Sequence, residues 1–276
     1  MSVSIRQLFV FFTLAYLISW IIWLPLYLPA FGIHLLPVLP YHHGLGGFGP
    51  MFAAFISTAI FQKKEGVASL TKSIVAWRPI IYVALALVSP FVLNLLAGGI
   101  VYLRSGHASD FSGLGISREF PDFHLLTFFL YNLIFFGFGE EVGWRGFALP
   151  RLQSKYNALT SSLFLSMFWA IWHWPLFLYR PGYVDMDVAG IFGWLFSLAT
   201  GSVLLSWFFN STRGSILVCA IFHATVDIAF TSDFSDTEIV QYTGILITIW
   251  GIATILWFKP HDLSRKMRVI MPTLLR

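Results

Sequence analysis

Charge is scarce in this chain. Asp, Glu, Lys and Arg make up 11% of its 276 residues, against roughly 25% in an ordinary soluble domain. Hydrophobic residues account for 57% and mean hydropathy is +0.76, which leaves too little polar surface to wrap one core, so a water-soluble globule is excluded. Cysteine is nearly absent. Cys219 stands alone, which rules out an internal disulfide and any Cys-x-x-Cys zinc or redox pair, and it reads as helix packing. There is no internal repeat or low-complexity tract, so nothing favours a repeat-built transporter. The sequence also lacks His-Glu-x-x-His, Gly-x-Gly-Asp and Gly-x-Ser-x-Gly. A helical zinc pair with an adjacent base, a diaspartyl pair and a serine-nucleophile turn therefore have no carriers, and Ser202 after Gly201 is too isolated to support a Ser-His site.

What is abundant is long apolar runs, at about 7–31, 47–61, 79–103, 123–144, 157–178, 189–209, 214–231 and 239–258. The first exceeds the 7 to 15 residues of a signal-peptide core, so it reads as a retained helix. Gly, Pro and charged residues punctuate the gaps, and none is large enough for a second domain. These runs predict an all-α integral membrane protein of about eight transmembrane helices, one polytopic membrane domain over 1–276.

The formal charge of +4 and a pI near 9.2 do not indicate a nucleic-acid surface, because the basic residues lie in the short gaps. Eight spans sort the seventeen Lys and Arg onto two sides. One side receives Arg6, Lys63, Lys64, Lys72, Arg78, Arg145, Arg151, Lys155, Arg213, Lys259, Arg265, Lys266, Arg268 and Arg276; the other receives Arg104, Arg118 and Arg180. That asymmetry predicts a multi-pass cell-membrane protein with both termini in the cytoplasm.

An ionisable side chain inside a span costs on the order of 3 kcal/mol or more, so each needs a partner, a wet cavity or a task. The candidates are Glu140, Glu141 and Arg145 in Gly-Glu-Glu-Val-Gly-Trp-Arg-Gly, His173 in Trp-Ala-Ile-Trp-His-Trp, and His223 with Asp227 in His-Ala-Thr-Val-Asp. Residues four apart share a helix face, so Glu141 can pair with Arg145 while Glu140, turned about 100° away, is left to face a cavity as a base. The same spacing stacks Asp227 on His223, where a carboxylate can orient the imidazole. Pro175 after His173 loosens the backbone locally. A carboxylate and two imidazoles suit hydrolysis. They are equally zinc-type ligands, and spacing alone leaves both readings open; a metal, if present, would take Glu140, His173 and His223.

These residues resemble the CPBP (CAAX prenyl-protease and bacteriocin-processing, or Abi) intramembrane proteases. The family's Glu-Glu-x-x-x-Arg is met by Glu140, Glu141 and Arg145, followed by Gly-Phe-Ala-Leu-Pro-Arg-Leu-Gln. Its Phe-x-x-x-His is met at His173 with Trp169 in the aromatic position, and its His-x-x-x-Asn/Asp by His223 and Asp227. The resemblance implies a family-like core over about 120–258, an intramembrane catalytic cavity, and an endopeptidase in which Glu140 with His173 activates water. His223 and residue 227 then stabilise the oxyanion, and Glu141 and Arg145 support the site. A carboxylate at 227 has no hydrogen to donate unless protonated, so Asp227 is expected to be protonated, to orient His223 or to help hold a metal. The expected partners are the lipid bilayer and a peptide or membrane-protein substrate, a prenylated C-terminus, a leader peptide or an anchored regulator, cut near the cytoplasmic half of the bilayer.

Against this stand blander readings: a solvated helix end for Glu140 to Arg145, a packed histidine at 173, and an inter-helix hydrogen bond for His223 and Asp227. His42 and His43 read as outer loop residues. The alternatives for the whole chain are a non-catalytic immunity or scaffold protein and a proton-coupled transporter.

Overall fold

The computed structural model describes residues 3–77, 79–234 and 237–271. Arg78 and Arg276, part of the charge sorting above, lie outside the described residues. Nine helices are described: α1 (Val3–Tyr27), a short α2 (His42–Gly46), α3 (Gly49–Ile74), α4 (Ile80–Ser105), α5 (Leu125–Gln153), α6 (Ala158–Trp172), α7 (Val188–Ser211), α8 (Ile216–Thr231) and α9 (Thr237–Asp262). Seven segments are long and apolar enough to cross a membrane, with α2 and α3 counting as one and α8 as a shorter apolar helix. The chain is an all-α multi-pass membrane protein of about eight helices, as its apolar runs predict.

The short helix occupies the middle. At 16 residues, α8 rises only about 24 Å, less than a hydrocarbon core of about 30 Å. It need not match the lipid, because Ile216, Cys219, Phe222, His223, Thr225 and Ile228 are all buried and α4, α5 and α7 pack around it. Close approach of backbones makes this packing tight. A Cβ on Gly137 of α5 would lie 2.6 Å from the Ala220 carbonyl oxygen of α8, and one on Gly143 would lie 2.6 Å from the Pro50 carbonyl oxygen of α3. Small residues at such crossings supply van der Waals contact where lipid gives no hydrophobic drive.

Helix α5 is not a uniform spiral. Two π-helical stretches, Leu133–Phe138 and Trp144–Ala148, flank one α-helical turn, Gly139–Gly143. Wide turns of this kind re-aim side chains and recur at functional sites, and here they bracket Glu140 and Glu141.

The bundle has two distinct ends. At one, Arg180 pairs with Glu119 at 2.6 Å and Arg118 with Asp233 at 3.7 Å, and Ser117 forms a lone antiparallel bridge with Ser232. At the other, Arg151 donates to Gln7 and Gln62 at 2.8 Å each, and Gln153 donates to the Val269 carbonyl at 2.7 Å. The loops rich in Lys and Arg gather at this second end.

Candidate active site

Trp169 stands at the meeting point of α5, α6 and α8. Its indole N–H donates to Glu140 Oε2 at 2.6 Å, and the same oxygen receives Trp144 Nε1 at 3.2 Å. The ring centroids of His173 and His223 each lie 5.6 Å from that of Trp169, and the Arg145 guanidinium sits 4.9 Å above it. Glu140, His173 and His223 are all buried. Three helices thus bring one carboxylate and two imidazoles around one indole. Convergence depends on how α6 ends: the helix stops at Trp172, and His173 caps it with its backbone N–H shared between the Trp169 and Ala170 carbonyls.

The hydrogen bonds fix tautomers. His173 Nδ1 is 2.8 Å from the Trp169 carbonyl oxygen, which can only accept, so Nδ1 carries the hydrogen and Nε2 of the neutral ring keeps its lone pair. Trp172, Tyr183 and Trp194 pack around the ring and hold its plane. His223 Nδ1 lies 2.7 Å from Glu141 Oε1, leaving Nε2 directed toward Asp227 Oδ2 at 3.7 Å. Stacking at i, i+4 therefore brings Asp227 close, but the short contact that orients His223 comes from Glu141, a residue on another helix.

Glu141 and Arg145 pair at 3.0 Å with both side chains fully buried. Arg145 Nη2 also donates to Ser202 Oγ at 3.2 Å, whose hydroxyl donates to the Ser162 carbonyl at 3.0 Å. Because Arg145 is enclosed at the level of the site, it is not a loop charge, and the expected cytoplasmic set loses that member. Asp227 is the most open of the cluster, with 28% of its side chain exposed.

Among the described residues no three His, Cys, Asp or Glu are gathered as a metal-binding group, so Glu140, His173 and His223 do not form the ligand set considered for them. One Glu140 oxygen is taken by two indole donors, while the Nδ1 contacts of His173 and His223 leave each Nε2 uncommitted to a backbone partner.

Trp169 lies three residues from the end of α6 and eleven from its start at Ala158, placing the cluster nearer the end without the basic loops. One further expectation is corrected. His42 and His43 are not outer loop residues. His42 is buried, donating to the Ile22 carbonyl at 2.6 Å and accepting from Leu39 N at 3.0 Å. His43 meets the Tyr179 hydroxyl at 2.8 Å and stacks on Trp23. With each ring nitrogen of His42 satisfied by backbone, the segment folds inward without leaving orphaned polar groups.

The residues that sequence reasoning missed as parts of the site are Trp169 and Trp144. The usable signal was Trp in an aromatic position four residues before His173, since an indole adds a donor that phenylalanine lacks.

Comparison with known proteins finds a family match over the segment that carries the cluster. Residues 122–229 match the family described as type II CAAX prenyl endopeptidase Rce1-like, and Glu140, Glu141, Arg145, His173, His223 and Asp227 all fall within the match. A protein from Methanococcus maripaludis named CAAX prenyl protease 2 is 25% identical over 126 residues, covering 44% of this chain and 46% of that relative. The match thus spans about half the length of the relative. Over residues 122–229, the chain is similar to the Rce1-like type II CAAX prenyl endopeptidases.

Proposed function

We propose that this protein is an intramembrane endopeptidase that hydrolyses a peptide bond with water activated by Glu140 and His173. The observation that carries the reading is the gathering of Glu140, His173 and His223 around Trp169, with His173 Nε2 left as an acceptor. Water held between Glu140 and His173 loses a proton to them as its oxygen attacks the peptide carbonyl carbon. The carbonyl oxygen becomes an oxyanion beside His223, which in its doubly protonated form keeps Nδ1–H on Glu141 and offers Nε2–H to the oxyanion together with a protonated Asp227. The tetrahedral intermediate then collapses, the C–N bond breaks, and the captured proton passes to the leaving amine. Glu141 and Arg145 act one layer behind, holding His223 in position.

Each of these steps uses only the chain's own side chains and water. The family match supports a peptide substrate met within the bilayer. The charge asymmetry supports termini on the cytoplasmic side of a cell membrane.

The test compares new peptide ends in membranes from cells expressing the wild type or Glu140→Gln at matched levels. Fragments that appear with the wild type and vanish with the variant establish proteolysis and name the substrate. If no end depends on Glu140 while the variant accumulates normally, the protein acts by binding or transport and the peptidase reading falls.

A further inference from the structure

We propose that the protein carries a binding site for the phosphate headgroup of an acidic phospholipid, in a cavity between α4 and α7 at the end of the bundle that holds the loops rich in Lys and Arg. The site is separate from the Glu140 cluster, and it stands whether or not the chain hydrolyses peptides.

Trp77, Pro79, Ile80, Thr212, Arg213 and Lys266 line a cavity of about 560 Å³, within the roughly 300–1,000 Å³ of ligand-sized clefts. Its two rims are tied to each other. The Ser215 hydroxyl donates to the Ala76 carbonyl, joining the stretch after α7 to the stretch before α4, and the same oxygen accepts from Val218 N at 3.2 Å in the first turn of α8. The cleft is therefore formed before a ligand arrives, which lowers the ordering cost of binding.

Two cations and no anion face this space. Among the described residues no Asp or Glu lines it, and neither Arg213 nor Lys266 pairs with a carboxylate. Arg268, on the same segment as Lys266, is different: Asp262 holds it at 3.6 Å and the Gln153 carbonyl at 3.0 Å. Lys266 Nζ donates to the Ser211 carbonyl at 2.7 Å, which pins the ammonium at the cavity wall and leaves two of its three N–H groups for a ligand. Arg213 stands at a left-handed position, φ 58°, that favours Gly or Asn. The chain accepts an unfavourable backbone there and sets a guanidinium at the cavity, and such outliers cluster at ligand sites. Helix α4 begins at the same wall, behind Pro79 and with no side chain capping its first turn, so its positive end adds to the field of the two cations.

Depth and apolar surface identify the anion as a lipid's. Ile80 is the first residue of one membrane-length helix and Ser211 the last of another, so the cavity stands where hydrocarbon gives way to headgroups. Trp77, half exposed, is of the residue type enriched at that boundary. From Ile80 the exposed apolar face of α4 continues to Leu87 and Val88, two turns further along, a path for acyl chains that a soluble phosphate does not need. Basic pockets between spans hold acidic headgroups in this way.

The purified full chain in a neutral detergent tests the proposal. Bound lipid is counted by native mass spectrometry with dioleoylphosphatidylglycerol and with dioleoylphosphatidylcholine, and the unfolding midpoint is followed with each lipid and with inorganic phosphate. One phosphatidylglycerol is expected to be retained roughly tenfold more strongly than phosphatidylcholine, given two cations at a headgroup, and to raise the midpoint. Arg213→Gly combined with Lys266→Gln is expected to abolish both effects, whereas Lys64→Gln combined with Lys155→Gln, exposed lysines of the same end outside the cavity, keeps them. Arg213→Gly relaxes the left-handed position, so if the double variant does not accumulate, this single change carries the comparison with an expected partial loss of the preference. Equal retention of the two lipids by the wild type overturns the site. Equal loss in the Lys64 and Lys155 variant overturns it too, by showing diffuse attraction to a basic surface. A midpoint raised as much by inorganic phosphate as by phosphatidylglycerol overturns the lipid assignment.

Discussion

His223 Nδ1 lies 2.7 Å from Glu141 Oε1, the same oxygen that receives Arg145 Nη1 at 3.0 Å. One buried carboxylate oxygen thus joins a guanidinium of its own helix to an imidazole 82 positions away. Removing it strands the charge of Arg145, fully enclosed with the Ser202 hydroxyl and the Trp169 ring beside it. Breaking one partner of a buried pair costs about 3–5 kcal/mol. Glu141→Ala is expected to lower the unfolding midpoint in detergent and to abolish cleavage together, whereas Glu140→Gln abolishes cleavage with a smaller stability change. Equal stability of Glu141→Ala and wild type would show that Glu141 does not hold the site together.

Trp169→Phe keeps the ring and deletes the N–H that binds Glu140 at 2.6 Å. Hydrogen bonds to charged groups contribute about 1.5–3 kcal/mol, so turnover is expected to fall roughly tenfold to a hundredfold with the fold intact. Rates measured on a substrate identified from the new-ends comparison decide this. An unchanged rate means that the indole N–H has no part in aiming the carboxylate.

Parts of this arrangement were legible in the sequence and parts were not, for physical reasons. Apolar runs near twenty residues mark spans because the bilayer sets their length, and the spacing of Glu141 and Arg145 marks a pair because both sit on one helix. The partner of His223 is different. Asp227 is four residues away and local geometry selects it, yet Glu141 makes the shorter contact, which depends on how α5 and α8 pack. The π-helical turns around Glu140 leave no mark in a hydropathy profile either. His42 and His43 looked like loop residues because polar side chains between two runs usually meet water. Here Ile22, Leu39 and Tyr179 supply the partners instead.

Gly143→Ala tests the packing that brings α5 against α3. The added methyl would fall 2.6 Å from the Pro50 carbonyl oxygen, a backbone atom that cannot rotate away. Overpacking of this kind costs about 1–3 kcal/mol, so the variant is expected to melt earlier and to accumulate less than the wild type. Wild-type yield and midpoint would mean that the two helices have room to separate.

Chelation addresses the zinc alternative directly. With no gathered ligand set among the described residues, Glu140-dependent cleavage is expected to persist after treatment with 1,10-phenanthroline and dialysis. Loss of cleavage that zinc restores would require the site to rearrange around a metal.

The role of residue 227 separates two ways of handling the oxyanion. An ionised carboxylate only accepts hydrogen bonds, so an Asp that contributes directly must hold a proton, whereas an amide at the same place donates at any pH. Asp227 Oδ2 stands 3.7 Å from His223 Nε2, close enough for both to border one developing charge. Asp227→Asn is therefore expected to retain cleavage and to extend it to higher pH, where the acid would have lost its proton, while Asp227→Ala loses cleavage at every pH. The comparison is a pair of pH-rate profiles on the same peptide. If Asp227→Asn is as inactive as Asp227→Ala, the carboxylate serves as an acceptor for His223 and the imidazole alone faces the oxyanion.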